Sequence, residues 1–248
     1  GVGLALVSGQ KGYKLNIVIP DKMSVEKIDC LRAMGADVVL TRSDVTKGDP
    51  AYYQDLAEAM AAREGWYYVN QFCNRANVRA HFESTGPEIW RQMEGRVDAF
   101  VCGVGTGGTL TGAGGYLKEQ NNDIDIVLAD PDGSVLAPLV ATGRMPDEAG
   151  SWYVEGIGED FVPDICDLSL VSEACTIGDS EAFGAARQLF SLEGIMAGSS
   201  SGTLLAAALR YCRAQRQPKR VVTLACDTGN RYLSKLYNDQ WIEDHLRG

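Results

Sequence analysis

Short apolar runs alternate with helix-like stretches along most of this chain. The runs span four to six residues and are apolar on both faces, as expected of strands covered on both sides of a sheet. The predicted strands are 15–19, 37–40, 66–69, 97–102, 124–129 and 221–225. The predicted helices are 2–8, 25–34, 50–64, 78–93, 180–192 and 202–213, with one that ends near 120 and one from 227 or 228 to 237. The alternation predicts an α/β fold with a parallel sheet.

Two helix boundaries can be assigned to particular residues. Ser24 stands in the capping position before a helix in which apolar residues recur every three positions, and Gly35 follows it. The first helix is predicted to end at Gly9 or Gly12. Residues 132–152 are the least regular segment, because proline and glycine recur there.

A glycine-rich loop follows the predicted strand 97–102. It reads Gly103-Val104-Gly105-Thr106-Gly107-Gly108-Thr109 and leads into a helix. Glycines let backbone N–H groups approach an anion, and the start of the helix adds a partial positive charge. The loop therefore predicts an anion site, with a tight strand-to-helix turn as the plain alternative.

The same loop leaves two ligand classes open. Gly103, Gly105 and Gly108 satisfy G-x-G-x-x-G, and Asp130 lies 22 residues further on, where a dinucleotide-binding protein places its ribose-binding acid. The tandem glycines between Thr106 and Thr109 instead favour a small terminal phosphate, because hydroxyl groups can meet its three oxygens.

A second turn carries consecutive hydroxyl groups. Residues 194–202 read Gly-Ile-Met-Ala-Gly-Ser-Ser-Ser-Gly, so three serines stand between glycines where a helix begins. The serines either contribute hydroxyls to a site or cap the helix through Ser200 or Ser201.

Composition narrows the function classes. The 248 residues include 33 acids and 23 bases, a net charge of −10, which disfavours nucleic acid as the main partner. The sequence has no apolar run long enough for a transmembrane helix. Seven cysteines with no C-x-x-C pair predict reduced thiols in a cytoplasmic protein. The only histidines are His81 and His245, which makes a zinc site or a Ser-His-Asp hydrolase improbable; His81 is interpreted as an ordinary surface or helix histidine.

Together these motifs resemble the cysteine synthase/cystathionine β-synthase family of pyridoxal-phosphate enzymes. The resemblance runs along essentially the whole chain. Its segments are Lys11–Tyr13, Ile17–Pro20, Met34–Ala36, Asn70–Phe72, Ser84–Trp90, the glycine loop and Glu155–Gly158. It implies two open α/β domains with mostly parallel sheets, the fold type II arrangement of the tryptophan synthase β kind, and pyridoxal 5'-phosphate as cofactor.

Finer details are similar to the cystathionine β-synthase branch. They lie in Ala129–Ser134, Gly156–Phe161 and Cys226–Trp241. This implies a cytoplasmic, homodimeric lyase of transsulfuration and cysteine biosynthesis, which joins L-serine to homocysteine. Its partners would be small amino-acid and thiol substrates, without nucleic acid, membrane or metal. A cysteine synthase that uses O-acetylserine and sulfide is the alternative, and an NAD-type oxidoreductase is less favoured.

The resemblance also implies site residues. Gly105, Thr106, Gly107, Gly108 and Thr109 would hold the cofactor phosphate. Ser200 would face the pyridine nitrogen, and Gln71 would bind the substrate carboxylate. Gly156 and Gly158 would let the backbone approach the substrate.

The start of the chain falls inside the family pattern, after the segment that carries the cofactor lysine. Gly1 aligns with the glycine that ends the family's substrate loop, so the lysine that binds the cofactor is expected upstream of Gly1 and no catalytic residue is assigned within the chain. Residues 1–74 are predicted to be the remnant of a smaller mobile domain, and 75–248 the larger phosphate-binding domain.

Overall fold

A computed structural model describes residues 1–246. The helices are α1 Val2–Lys11, α2 Val25–Ala33, α3 Tyr53–Glu64, α4 Arg75–Ala80, α5 Gly86–Gln92, α6 Gly115–Gln120, α7 Leu136–Thr142, α8 Asp179–Glu193, α9 Ser199–Ala214 and α10 Asp239–Leu246. The strands are β1 Asn16–Pro20, β2 Asp37–Thr41, β3 Ala99–Cys102, β4 Asp125–Pro131, β5 Glu173–Ile177 and β6 Val221–Val222. Two π-helical segments, His81–Thr85 and Leu110–Gly114, continue α4 into α5 and precede α6. The described chain thus alternates strands and helices as its sequence predicts.

The chain forms two compact units. Unit 1 contains Gly1–Asn70 and Asn230–Ile242, whereas unit 2 contains Gln71–Gly229 and residues 243–246. The predicted division at residues 74 and 75, with its mobile and phosphate-binding roles, stays a prediction.

Unit 1 is built on a parallel pair of strands. β1 pairs with β2 in the register Asn16 to Asp37, and α1 packs on α2. Its apolar cluster centres on Ala5, Leu31 and Ala36. The small size of this cluster follows from the two short strands that carry it.

Unit 2 is built on a four-stranded parallel sheet. The strand order is β5-β4-β3-β6. β3 and the middle of β4 are fully buried, with Phe100, Ile126 and Leu128 inaccessible to solvent. Such strands are apolar on both faces because helices cover both sides of a parallel sheet. The central position of β3 places the glycine loop that follows it at the carboxyl edge of the sheet.

Three local predictions differ from the structure. Residues 66–70 are irregular, with Trp66 and Tyr67 exposed, so the predicted strand 66–69 is wrong. The predicted helix to 237 is also wrong: a 3₁₀ turn occupies Gly229–Arg231 and turns follow it. There the Ser234 amide donates to the Glu26 carboxylate, which withdraws it from a helical ladder.

The third difference concerns Ser24. It occupies the N-cap position of α2, but its buried hydroxyl has no hydrogen-bond partner among residues 1–246. The predicted boundary is therefore confirmed, whereas the predicted side-chain cap is wrong.

Candidate active site

The glycine loop packs closely against two neighbouring segments of unit 2. A Cβ on Gly105 would overlap the Gly156 carbonyl, and one on Gly107 would lie 2.5 Å from the Cβ of Cys166. Gly107 also has a φ of 85°, which disfavours side chains. Close packing requires glycine at both positions, and backbone geometry requires it at Gly107 as well, so the loop is held in one conformation against its neighbours.

The loop presents hydrogen-bond donors where a helix begins. Helical geometry starts at Gly108, and the first N–H groups of a helix have no intrahelical acceptor. The side chains of Thr106 and Thr109 are half-buried beside these groups. The donor set fits a phosphate group, because it combines backbone N–H groups, two hydroxyls and the positive end of a helix.

The loop around Gly156 and Gly158 lies against the glycine loop. The Gly158 amide donates to the Val104 carbonyl at 2.8 Å. Gly156 and Gly158 have φ values of 92° and 86°. The Asp179 carboxylate fixes the approach to this segment, because its two oxygens accept from the amides of Tyr153 and Val154 at 2.9 and 3.0 Å.

The serine turn reaches the same place through Ser199. The Ser199 hydroxyl accepts from the Glu155 amide at 3.1 Å, which joins the turn to the Gly156 segment. The N-cap residue of α9 is Gly198, so Ser200 and Ser201 lie inside the first turn. Ser201 accepts from the Cys226 amide at 2.9 Å, and the Ser200 hydroxyl contacts the Cys226 thiol. The capping interpretation of Ser200 and Ser201 is therefore wrong.

Gln71 adjoins the glycine loop through one intervening side chain. The Asn77 amide nitrogen donates to the Gln71 carbonyl at 3.1 Å and to the Thr106 hydroxyl at 2.8 Å. Gln71 is exposed. The fold thus brings the sequence-predicted residues of unit 2 to one area, while the ligand role of each stays a prediction.

The structure disfavours the dinucleotide interpretation of Asp130. This residue is fully buried, and one of its oxygens accepts from the Ala137 amide at 2.8 Å. Burial raises the pKa of the Asp130 carboxyl to about 6. A ribose-binding acid must reach the ligand, whereas this carboxyl is enclosed beneath α7.

Two neighbouring residues were not identified as site residues from the sequence. Asn77 and His81 contact Thr106 and Thr109, respectively. The available signal was their spacing of four residues, which places both on one face if the predicted helix 78–93 begins before Asn77.

Residues 1–227 match the family model described as pyridoxal-phosphate dependent enzyme. The chain belongs to this family. The match confirms the α/β fold class with parallel sheets, the enzyme class and the pyridoxal-phosphate cofactor that the resemblance implied.

Relatives in this family carry two names. The chain is 38% identical over 244 residues to cystathionine β-synthase of Apis mellifera, covering 98% of this chain and 48% of that protein. It is 37% identical to cystathionine β-synthase of Rattus norvegicus, covering 98% and 43%. It is 39% identical over 254 aligned positions to cysteine synthase A of Escherichia coli K12, covering 100% and 77%. The chain thus spans about half the length of the cystathionine β-synthases that it matches, and it falls within the group that both names describe.

No helix among residues 1–246 combines the length and the apolar character that a membrane-spanning helix needs.

Proposed function

We propose that the full-length protein catalyses β-replacement on L-serine, in which the homocysteine sulfur takes the place of the β-hydroxyl to give cystathionine and water. One observation carries this proposal: the glycine loop, the Gly156 segment and the serine turn are joined by direct hydrogen bonds or close contacts within unit 2. Pyridoxal phosphate, when bound, supplies an electron sink that assists bond cleavage at the amino-acid carbons.

Within this proposal the glycine loop binds the cofactor phosphate. The amides of Gly105, Gly107 and Gly108 and the hydroxyls of Thr106 and Thr109 are its donors. Phosphate oxygens are favourable acceptors for such a set at a helix start.

Ser200 is proposed to face the pyridine nitrogen. A serine hydroxyl is neutral, so it can donate a hydrogen bond to an unprotonated nitrogen and lacks the charge with which a carboxylate would stabilise a pyridinium. Because the ring nitrogen stays unprotonated beside a serine, the ring withdraws electrons less strongly, and this favours departure of a β-substituent.

The substrate side is assigned to Gln71, Gly156 and Gly158. Gln71 would bind the substrate carboxylate through its side-chain amide, which points to a small amino acid as the substrate. The two glycines would admit the substrate close to the backbone, because their positive φ values set a backbone course that other residues rarely adopt.

Cysteine synthase activity is the second candidate, favoured by the 39% identity to cysteine synthase A. The two are distinguished by assaying the full-length protein with serine plus homocysteine and with O-acetylserine plus sulfide. We expect a higher kcat/KM for the first pair. A preference for the second pair would establish the alternative, and inactivity with both in protein loaded with pyridoxal phosphate would contradict β-replacement.

A further inference from the structure

The helical stretch formed by α4 and the π-helical segment after it contacts both threonines of the glycine loop. Asn77 on α4 and His81, which follows α4, are four residues apart and point from one face. The Asn77 amide nitrogen lies 2.8 Å from the Thr106 hydroxyl, and His81 Nε2 lies 3.2 Å from the Thr109 hydroxyl. Each loop threonine thus has its own partner on a single helix.

Glycines on the loop side allow this close approach. A Cβ on Gly112 would lie 2.7 Å from the Cβ of His81 and would overlap the Val78 carbonyl. A Cβ on Gly108 would overlap the side-chain oxygen of Asn77. The two helical segments are therefore fitted to each other at both contact points.

The hydrogen bonds around Thr106 fix the direction of its hydroxyl. An asparagine side chain has two N–H donors, and those of Asn77 are used by the Gln71 carbonyl and the Thr106 hydroxyl. Because an amide N–H can only donate, the Thr106 hydroxyl oxygen accepts in the bond from Asn77, and its own proton remains to be donated to another acceptor.

His81 can impose the same direction on Thr109. Its Nδ1 lies 2.9 Å from the Thr85 hydroxyl, and burial lowers the pKa of His81, so the ring is neutral at physiological pH. A neutral imidazole donates through one nitrogen and accepts through the other. If Thr85 donates to Nδ1, then Nε2–H donates to Thr109, and the Thr109 proton is left for an anion.

We propose that Asn77 and His81 are positioning residues that hold Thr106 and Thr109 as hydrogen-bond donors to the cofactor phosphate. This inference rests on the proposed phosphate role of the glycine loop. A bound phosphate dianion selects the Nε2–H tautomer of His81, because only that tautomer leaves the Thr109 proton for the phosphate.

The test compares pyridoxal phosphate with pyridoxal, which lacks the phosphate. Dissociation constants of both compounds are measured for the full-length protein freed of cofactor. The constant for pyridoxal divided by that for pyridoxal phosphate is the preference for pyridoxal phosphate, and it reports how much the phosphate contributes to binding. Thr106→Val and Thr109→Val are the references for loss of one donor. We expect each reference variant to lower the preference for pyridoxal phosphate by about tenfold or more, the usual effect of losing one hydrogen bond to a charged group.

The positioning residues are tested by three variants and a control. Asn77→Ala and His81→Phe are expected to lower the preference several-fold, with a changed ³¹P resonance of the bound cofactor. His81→Gln is expected to restore it, since a glutamine amide can donate where Nε2–H does. Glu83→Gln, an exposed change on the same helical stretch, should match the wild type.

A double-mutant cycle adds a measurement that a general loss of packing would not reproduce. In the Thr109→Val background, His81→Phe should lower the preference no further, because the donor that His81 positions is already absent. The Asn77 and Thr106 pair gives an independent cycle if His81→Phe does not fold.

Two outcomes separate this inference from the proposed function. If the threonine variants lower the preference while Asn77→Ala and His81→Phe retain it, the positioning role is wrong and the phosphate site stands. If the threonine variants also retain the wild-type preference, the phosphate is bound elsewhere and both proposals fail.

Discussion

The Asp130 carboxylate accepts a hydrogen bond from the Ala137 backbone amide at 2.8 Å, while its other oxygen is buried without a partner among residues 1–246. The first contact fixes the start of α7 to the end of β4. Burial raises the pKa of this carboxyl to about 6, and hydrogen bonds with Ala137, Ser134 and Leu136 offset only part of that effect.

Asp130 should make stability fall as the pH rises from 3.8 to about 6. The pKa in the folded state exceeds the unfolded value, so the folded state binds more protons in this window and loses stability when they leave. Across this window the wild type should lose about 3 kcal/mol of its free energy of unfolding relative to Asp130→Asn, whose side chain does not titrate. Urea unfolding at several pH values measures this difference, and a difference independent of pH would contradict the assignment.

Gly108→Ala should weaken cofactor binding more than it weakens the fold. The new Cβ would displace the Asn77 side chain, and the hydrogen bond from Asn77 to Thr106 would be lost. We expect at least about tenfold weaker binding of pyridoxal phosphate. Gly115→Ala is the matched control, because a Cβ there meets open space on a helix, where alanine is favoured over glycine. Equal binding by the two variants would show that the loop tolerates the clash.

Glu26→Ala should loosen the segment Asn230–Ile242 within unit 1. The Glu26 carboxylate accepts from the Ser234 amide and from the Ser234 hydroxyl, each at 2.8 Å. Loss of both bonds should destabilise this contact by about 1–3 kcal/mol, and Glu26→Gln should cost less because its amide oxygen still accepts. Hydrogen exchange of amides 230–242 measures the effect, and protection unchanged in Glu26→Ala would contradict it.

Ser200→Ala in the full-length enzyme should retain the cofactor and lower kcat. A neutral hydrogen bond contributes on the order of 1 kcal/mol, too little to determine occupancy on its own. Ser191→Ala, an exposed change on α8, is the control. Unchanged kinetics with serine would leave Ser200 as a packing residue of the first turn of α9.

The sequence predicts the centre of unit 2 better than its margins. The apolar run 97–102 and the glycines after it contain the information for β3 and its loop, because burial on both faces leaves an uninterrupted pattern. β5 was not predicted: its residues Glu173 and Thr176 are exposed, and it forms where β4 offers an edge to pair with. The predicted strand 66–69 is absent, and the fold leaves its residues Trp66 and Tyr67 exposed.

The candidate site shows the same division. The glycine and serine motifs are contiguous in sequence, so their chemistry can be interpreted before the fold is known. Asn77 and His81 contact threonines that lie 29 and 28 residues further along the chain. Such partners depend on how two helical segments pack, which no local pattern specifies.

The discontinuity of unit 1 has a consequence for biosynthesis. The contact between Glu26 and Ser234 cannot form until Ser234, 208 residues later in the chain, has been synthesised. At ribosomal rates of about 5–20 residues per second, that interval is on the order of tens of seconds. Residues 71–229 form one continuous stretch and can close their core as soon as they emerge, while the first 70 residues remain without their final segment. The contacts of the first 70 residues with the segment Asn230–Ile242 therefore form only after residues 71–229 have been synthesised, whereas the small apolar cluster around Ala5, Leu31 and Ala36 can form before them.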